Sequence, residues 1–218
     1  PLPYDPLKAF VPITLFNADS LVFAVHPSVP AHSLKELIAL AKAKPGQIFH
    51  ASSASAFQVA VELFKKQAGV DIVHVPYKGA APAVTATVAG ETSLILISIP
   101  PILGQLQSGK LRALAINSPE RSRFLPDVPT ARESGMDFEG ITWAGLFAPA
   151  GTPRPIIDRL YSAMSIVLRD NPMKERFVSQ GREPTGGVGM TPAEFDIFFK
   201  AELVKWTKAI KDLNIRSD

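Results

Sequence analysis

The chain has 218 residues, a mass of 23.5 kDa and a formal net charge of +3. With 46% apolar and 20% charged residues it has the make-up of a globular protein with a substantial core, which excludes wholesale disorder and a fibrous fold. Basic residues are dispersed, only Lys65 and Lys66 being adjacent, so the basic stripe that nucleic acid requires is missing.

The absence of cysteine removes disulfides, thiolate nucleophiles and thiolate metal ligands together. No apolar run approaches the roughly 18 residues that span a membrane, and no charged-then-apolar leader opens the chain. The sequence begins at Pro1 rather than Met, with a proline-rich lead of no clear structure. A processed or truncated product, with a segment missing upstream, is therefore expected.

In chain order, the first predicted strand is Leu21 to His26. It feeds a helix from Leu34 to Lys44 whose start carries the capping box Ser33-x-x-Glu36. Short runs rich in β-branched residues at 48–52, 71–77, 92–98 and 112–118 are predicted as further strands. Helices are expected between them at about 56–68, 82–89 and 101–108, closed by Gly69, Gly90 and Gly109 at the C′ position. Repetition of strand, turn and helix predicts a parallel sheet with crossover helices, hence an α/β fold.

After Ser118 the alternation stops. Pro119 to Gly140 is loop-rich with one short helix signal, Thr130-x-x-Glu133, and Ile141 to Phe147 is strand-like. The tail is predicted to be helical, with Thr152-Pro153, Asn171-Pro172 and Thr191-Pro192 opening helices of about 17, 8 and 19 residues. A βα repeat flanked by segments of other texture predicts one lobe, residues 27–149, inserted between two pieces of another, residues 1–26 and 150–218. The crossings then fall near His26 and near Ala150-Gly151-Thr152.

Three helix starts are predicted at the carboxyl ends of neighbouring parallel strands, where unpaired N–H groups and the helix dipole favour a small anion. The first is His50-Ala51-Ser52-Ser53-Ala54-Ser55, with Ser55-x-x-Gln58 as a capping box and Ser52 and Ser53 as hydroxyl donors. The plainer alternative is that these serines only cap the helix. The second is Val75-Pro76-Tyr77-Lys78-Gly79, which combines a phenol, an ammonium and a flexible glycine, or else a packed Tyr77 beside an exposed Lys78. The third offers only Ser98, for which structural filler is the better reading. Trp143 precedes the return crossing and either lines a cleft or packs in a core.

Catalytic and metal motifs fail on spacing. The G-x-S-x-G, G-x-x-x-x-G-K-[ST], G-x-G-x-x-G and H-E-x-x-H patterns are all missing, and His26, His32, His50 and His74 lack metal-ligand spacing. No catalytic residue, metal site or cofactor is expected. A Ser/His/Asp set from Ser52 or Ser53, His50 or His74, and Asp71 can be drawn only on paper. The run Thr185-Gly186-Gly187-Val188-Gly189 reads as a loop. Phe195, Phe198, Phe199, Leu203 and Trp206 have helical spacing and read as core.

Specific words in the chain resemble the Bug or TctC-type extracytoplasmic solute receptors. They include Tyr4-Asp5-Pro6, Val25-His26-Pro27-Ser28, Asp71-Ile72-Val73-His74-Val75-Pro76-Tyr77-Lys78-Gly79, Gly109-Lys110-Leu111-Arg112-Ala113-Leu114-Ala115, Leu125-Pro126-Asp127-Val128-Pro129-Thr130 and Ala148-Pro149-Ala150-Gly151-Thr152-Pro153. The resemblance implies a two-lobed periplasmic-binding-protein fold, type II-like, with a parallel-rich sheet and crossover helices in each lobe. It also implies a periplasmic, monomeric, non-enzymatic receptor that closes on a small carboxylate and delivers it to the membrane components of a tripartite tricarboxylate-type transporter. Ser52, Ser53, Ser55, Tyr77, Lys78, Gly79, Ser98 and Trp143 are the expected ligand-binding residues.

Such receptors carry a signal peptide, a first strand and a ligand-contacting loop upstream of the Tyr-Asp-Pro word, and these are expected to be missing here. Ala51-Ser52-Ser53-Ala54-Ser55 stands where the family loop is glycine-rich, and Ile97-Ser98 where an acidic or amide residue is common, which points to a plain carboxylate rather than an amino acid. Two other readings stay open: the effector domain of a LysR-type regulator, which shares the two-lobed design, and a hydrolase using Ser52 or Ser53.

Overall fold

A computed structural model describes residues 3–137, 140–182 and 188–213. In order, the elements are α1 (Pro6–Ala9), β1 (Phe10–Val25), α2 (Leu34–Ala43), β2 (Phe49–Ser52), α3 (Ser55–Ala68), β3 (Val73–Pro76), α4 (Ala80–Val88) and β4 (Leu94–Ser98). A 3₁₀ turn (Pro100–Ile102), α5 (Leu103–Gln107), β5 (Arg112–Asn117), β6 (Ile141–Pro149), α6 (Arg154–Arg169), α7 (Asn171–Ser179) and α8 (Pro192–Leu213) follow. Of the expected Gly-rich loop, Thr185, Gly186 and Gly187 lie outside the described residues.

The chain divides into two compact units. One runs to Asp19 and resumes at Trp143; the other spans Ser20–Thr142. The sequence reading puts the crossings near His26 and Ala150 instead. Both β1 and β6 begin in one unit and end in the other.

In the Ser20–Thr142 unit the strands are ordered β3-β2-β4-β1-β5. Strand β2 runs parallel to β3 and β4, whereas β1 is antiparallel to β4 and β5. The carboxyl ends of β2, β3, β4 and β5 therefore share one edge of the sheet. Side chains alternate between two cores, as the period of two in a strand requires. Leu21, Phe23 and Val25 join Leu94 and Leu96 beneath α2 and α3. Val22 and Ala24 join Ile95, Ile97 and Ala83 on the α4 side. Burial on both faces explains the continuous apolar runs at 21–25 and 94–97.

Local signals close the helices. Ser33 Oγ accepts the Glu36 N–H at 3.1 Å, and the Glu36 carboxylate accepts the His32 N–H at 2.7 Å. Gly69 ends α3 in the left-handed region, with φ 63°, a conformation glycine adopts without a Cβ penalty.

The other unit packs α6 and α8 with β6 and the first half of β1. Ile13, Ala148 and Ile157 form a small core, and Phe147, Phe195, Phe198, Phe199 and Trp143 form an aromatic cluster. Gly145 is required for this packing, because a Cβ there would overlap the edge of the Phe195 ring. Arg182 pairs with the buried Asp19 at 2.8 Å. Of the three expected threonine and asparagine caps only Thr191 works, its hydroxyl accepting the Glu194 N–H at 3.3 Å while Glu194 accepts the Thr191 N–H at 2.8 Å. Thr152 Oγ1 instead donates to the Pro149 carbonyl at 2.7 Å, and Asn171 is the first helical residue of α7 rather than its cap.

Candidate functional site at the carboxyl edge of the sheet

Strand β2 ends at Ser52, beside the end of β3, with Ser52 in register with Pro76. The Tyr77 N–H donates to the Ser52 carbonyl at 2.8 Å. That bond ties the loop before α3 to the loop before α4, so Ser52, Ser53 and Ser55 stand next to Tyr77, Lys78 and Gly79. Ser52 is buried, Ser53 half-buried, and Ser55 and Lys78 exposed. Tyr77 is half-buried and packs on the core beneath α4. Ser98 ends β4 on the same edge, half-buried.

The expected Ser55-x-x-Gln58 capping box is not formed. Helix α3 starts at Ser55, its cap is Ala54, and no side chain caps it. Four hydroxyl-bearing or small residues in a row give the backbone several competing turns. Here Ser52 Oγ donates to the Ala54 carbonyl at 3.1 Å, and that same carbonyl accepts the Phe57 and Gln58 N–H groups at 3.0 and 3.2 Å. The cap thus moves to Ala54, one residue ahead of the predicted Ser55. The N–H groups of Ser55 and Ala56, the first two of the helix, have no intrahelical acceptor by construction.

Gly79 precedes α4 with φ 102° and ψ 174°, again with no side-chain cap, and a Cβ there would meet nothing within 4 Å. It is backbone conformation that selects glycine here. Two helix starts therefore present uncapped amides along one edge, with the Lys78 ammonium beside them, and this arrangement suits an anion. The third expected start is weaker. After Ser98 the chain forms a 3₁₀ turn and then a helix of five residues.

Trp143 belongs to the other unit. Its ring meets Phe195, Phe198 and Phe199 edge-on, and its Nε1 donates to Glu202 at 3.3 Å, which is the core-packing alternative. The Ser52–His50 pairing drawn for a hydrolase is not assembled, since Ser52 Oγ is engaged by Ala54 and both ring nitrogens of His50 lack partners.

His50 and His74 face each other across β2 and β3, ring centroids 6.3 Å apart. Burial is the main cause that pushes His50 down to about 3, helped by the neighbouring His74 and by the Lys65 ammonium. Burial likewise lowers His74. His50 is therefore neutral at pH 7.

Sequence reading missed Asn117. It ends β5 at the same edge, is wholly buried, and neither its Nδ2 nor its Oδ1 has a partner. The available signal was an amide closing an otherwise apolar run, Leu114-Ala115-Ile116-Asn117.

Known proteins align with this architecture. BugT of Bordetella pertussis is 34% identical over 214 residues, covering 97% of this chain and 65% of BugT. The chain thus spans somewhat less than two thirds of that relative. A Rhodopseudomonas palustris protein solved with adipate superposes with a TM-score of 0.88 at 31% identity, covering 97% of this chain and 71% of that one. MatC of the same organism, solved with bound malate, gives 0.86 at 28% identity, covering 96% and 72%. The sequence also matches, over residues 1–215, the family described as tripartite tricarboxylate transporter family receptor, TctC. The chain belongs to the TctC family of tripartite tricarboxylate transporter receptors.

Proposed function

We propose that this chain is the greater part of a periplasmic receptor that binds a small carboxylate at the carboxyl edge of its Ser20–Thr142 sheet and passes it unchanged to the membrane components of a tripartite tricarboxylate-type transporter. The observation that carries the reading is the pairing of two uncapped helix starts, held together by the Tyr77 to Ser52 bond. Ligand oxygens accept hydrogen bonds from the Ser53 and Ser55 hydroxyls, the first amides of α3, and the Tyr77-Lys78-Gly79 turn. Ser98 extends the edge, and Trp143 serves the other unit as packing. The receptor works as a monomer, without metal, cofactor or catalysis.

Hydrogen bonds to a charged group contribute about 1.5–3 kcal/mol each, so three or four give micromolar affinity after ordering costs. Family membership supports the carboxylate, as do the adipate and malate bound to two related proteins. A thermal-shift panel of mono-, di- and tricarboxylates on the full gene product tests the reading. A ligand at 100 times its Kd is expected to add about 2.7 kcal/mol of stability and to be recovered chemically unchanged. Flat curves across the panel, or a consumed ligand, overturn it.

A further inference from the structure

Asn117 is a buried amide that the fold leaves unpaired. It ends β5 opposite Leu21, and Leu21 pairs on its other side with Ser98. Directly opposed residues in antiparallel strands put their side chains on one face, so Ser98, Leu21 and Asn117 form a row along the carboxyl edge. Leu21 lies in the core beneath α2 and α3, which identifies the face as the one α3 covers. The amide is 0% exposed, and both of its polar atoms lack partners.

Gly140 backs this amide closely enough that a Cβ there would stand 3.1 Å from Nδ2. Any side chain at position 140 would crowd the group. The molecule therefore keeps room for an amide whose two donors and two acceptors it does not use, an arrangement that costs stability unless a partner is supplied. Position and lack of partners together point to a guest that supplies both an acceptor and a donor.

We propose that Asn117 is a specificity-determining ligand contact, its Nδ2 donating to a ligand carboxylate and its Oδ1 accepting from an adjacent hydroxyl, so that the receptor favours 2-hydroxy diacids. This rests on the reading that the edge binds a carboxylate. Antiparallel partners stand about 5 Å apart, so Asn117 is about 10 Å from Ser98. Hydrogen bonds of about 2.8 Å at each end leave roughly 4–5 Å between the two ligand groups, the span of a short hydroxy diacid. The amide oxygen that Ile97 and Ser98 do not offer on β4 is thus supplied two strands away.

The test is calorimetric titration of the full gene product with L-malate and succinate, before and after Asn117→Leu, each protein's unliganded melting temperature being recorded. The expected result is tighter malate than succinate binding in the parent. The variant should hold or raise the melting temperature, lose at least about tenfold in malate affinity and lose the preference. Asn117→Thr, which suits a strand and puts one hydroxyl in place of the amide, is expected to fall between the two and covers the case in which the leucine variant does not fold. Unchanged malate affinity in a folded variant, or no malate preference in the parent, overturns the proposal while leaving carboxylate binding intact. A parent protein that binds no carboxylate overturns both readings.

Discussion

His50 sits in the sheet with both ring nitrogens unpaired, and burial keeps it neutral. Its folded pKa, about 3, lies below the unfolded value of about 6.5, so the unfolded chain binds the extra proton. The stability linked to this group is complete above pH 6.5 and is lost as pH falls from there towards 3, at up to about 1.4 kcal/mol per pH unit. Chemical denaturation of the parent and of His50→Gln between pH 7 and 4 checks this, the variant being expected to show the shallower slope. Equal slopes would assign the acid sensitivity elsewhere. Gly79 makes a second single-site prediction. With φ 102°, Gly79→Ala is expected to cost about 1–3 kcal/mol in backbone strain and to weaken carboxylate binding with it, which a melting curve and a titration read separately. The flexible Gly79 was visible in the sequence; the state of His50 was not. The chain displayed four histidines and a Tyr-Lys-Gly turn, but neither the burial that decides a protonation state nor the unpaired amide of Asn117 can be read from residue order.

Helix starts separate what local sequence determines from what it leaves open. Ser33-x-x-Glu36 and Thr191-x-x-Glu194 cap as predicted, because each offers a single hydroxyl at the boundary followed by the matching glutamate. Ser55-x-x-Gln58 fails because Ser52, Ser53 and Ser55 compete and the tie from Tyr77 to Ser52, a contact distant in sequence, fixes the turn. Thr191→Ala is accordingly expected to cost about 1 kcal/mol, whereas Ser55→Ala is expected to leave the melting temperature nearly unchanged, since Ser55 caps nothing. The strands between Ile48 and Asn117 were legible from their β-branched runs. Strand β1 was not, since only Leu21 to His26 was predicted whereas it runs from Phe10 to Val25. Pro12 inside its first half, after Pro3 and Pro6, made that half part of a proline-rich lead of no clear structure. Packing then tolerates few changes: Gly145→Ala would drive a methyl into the Phe195 ring and is expected to cost about 1–3 kcal/mol through overpacking.

The α/β class and the central βα repeat were legible because period and punctuation are local properties. The direction of β1, antiparallel to β4 and β5, was not, because it depends on which distant strands flank it. Of the expected site, the serine loop and the Tyr77-Lys78-Gly79 turn do meet on one edge, Ser98 extends it, and Trp143 lies in the other unit. Cores of unequal size carry a further expectation. Two large clusters line the Ser20–Thr142 sheet, and a small one serves the other unit. In hydrogen exchange, the amides of β4 and of residues 21–25 are therefore expected to be the slowest and those of α6 and α7 among the faster. The most direct test of the proposal that this edge binds a carboxylate is amide NMR of the full gene product titrated with a saturating dicarboxylate. Shifts concentrated at residues 53–56 and 77–80 are expected. Saturable shifts that spare those residues and gather in α6 to α8 would contradict it.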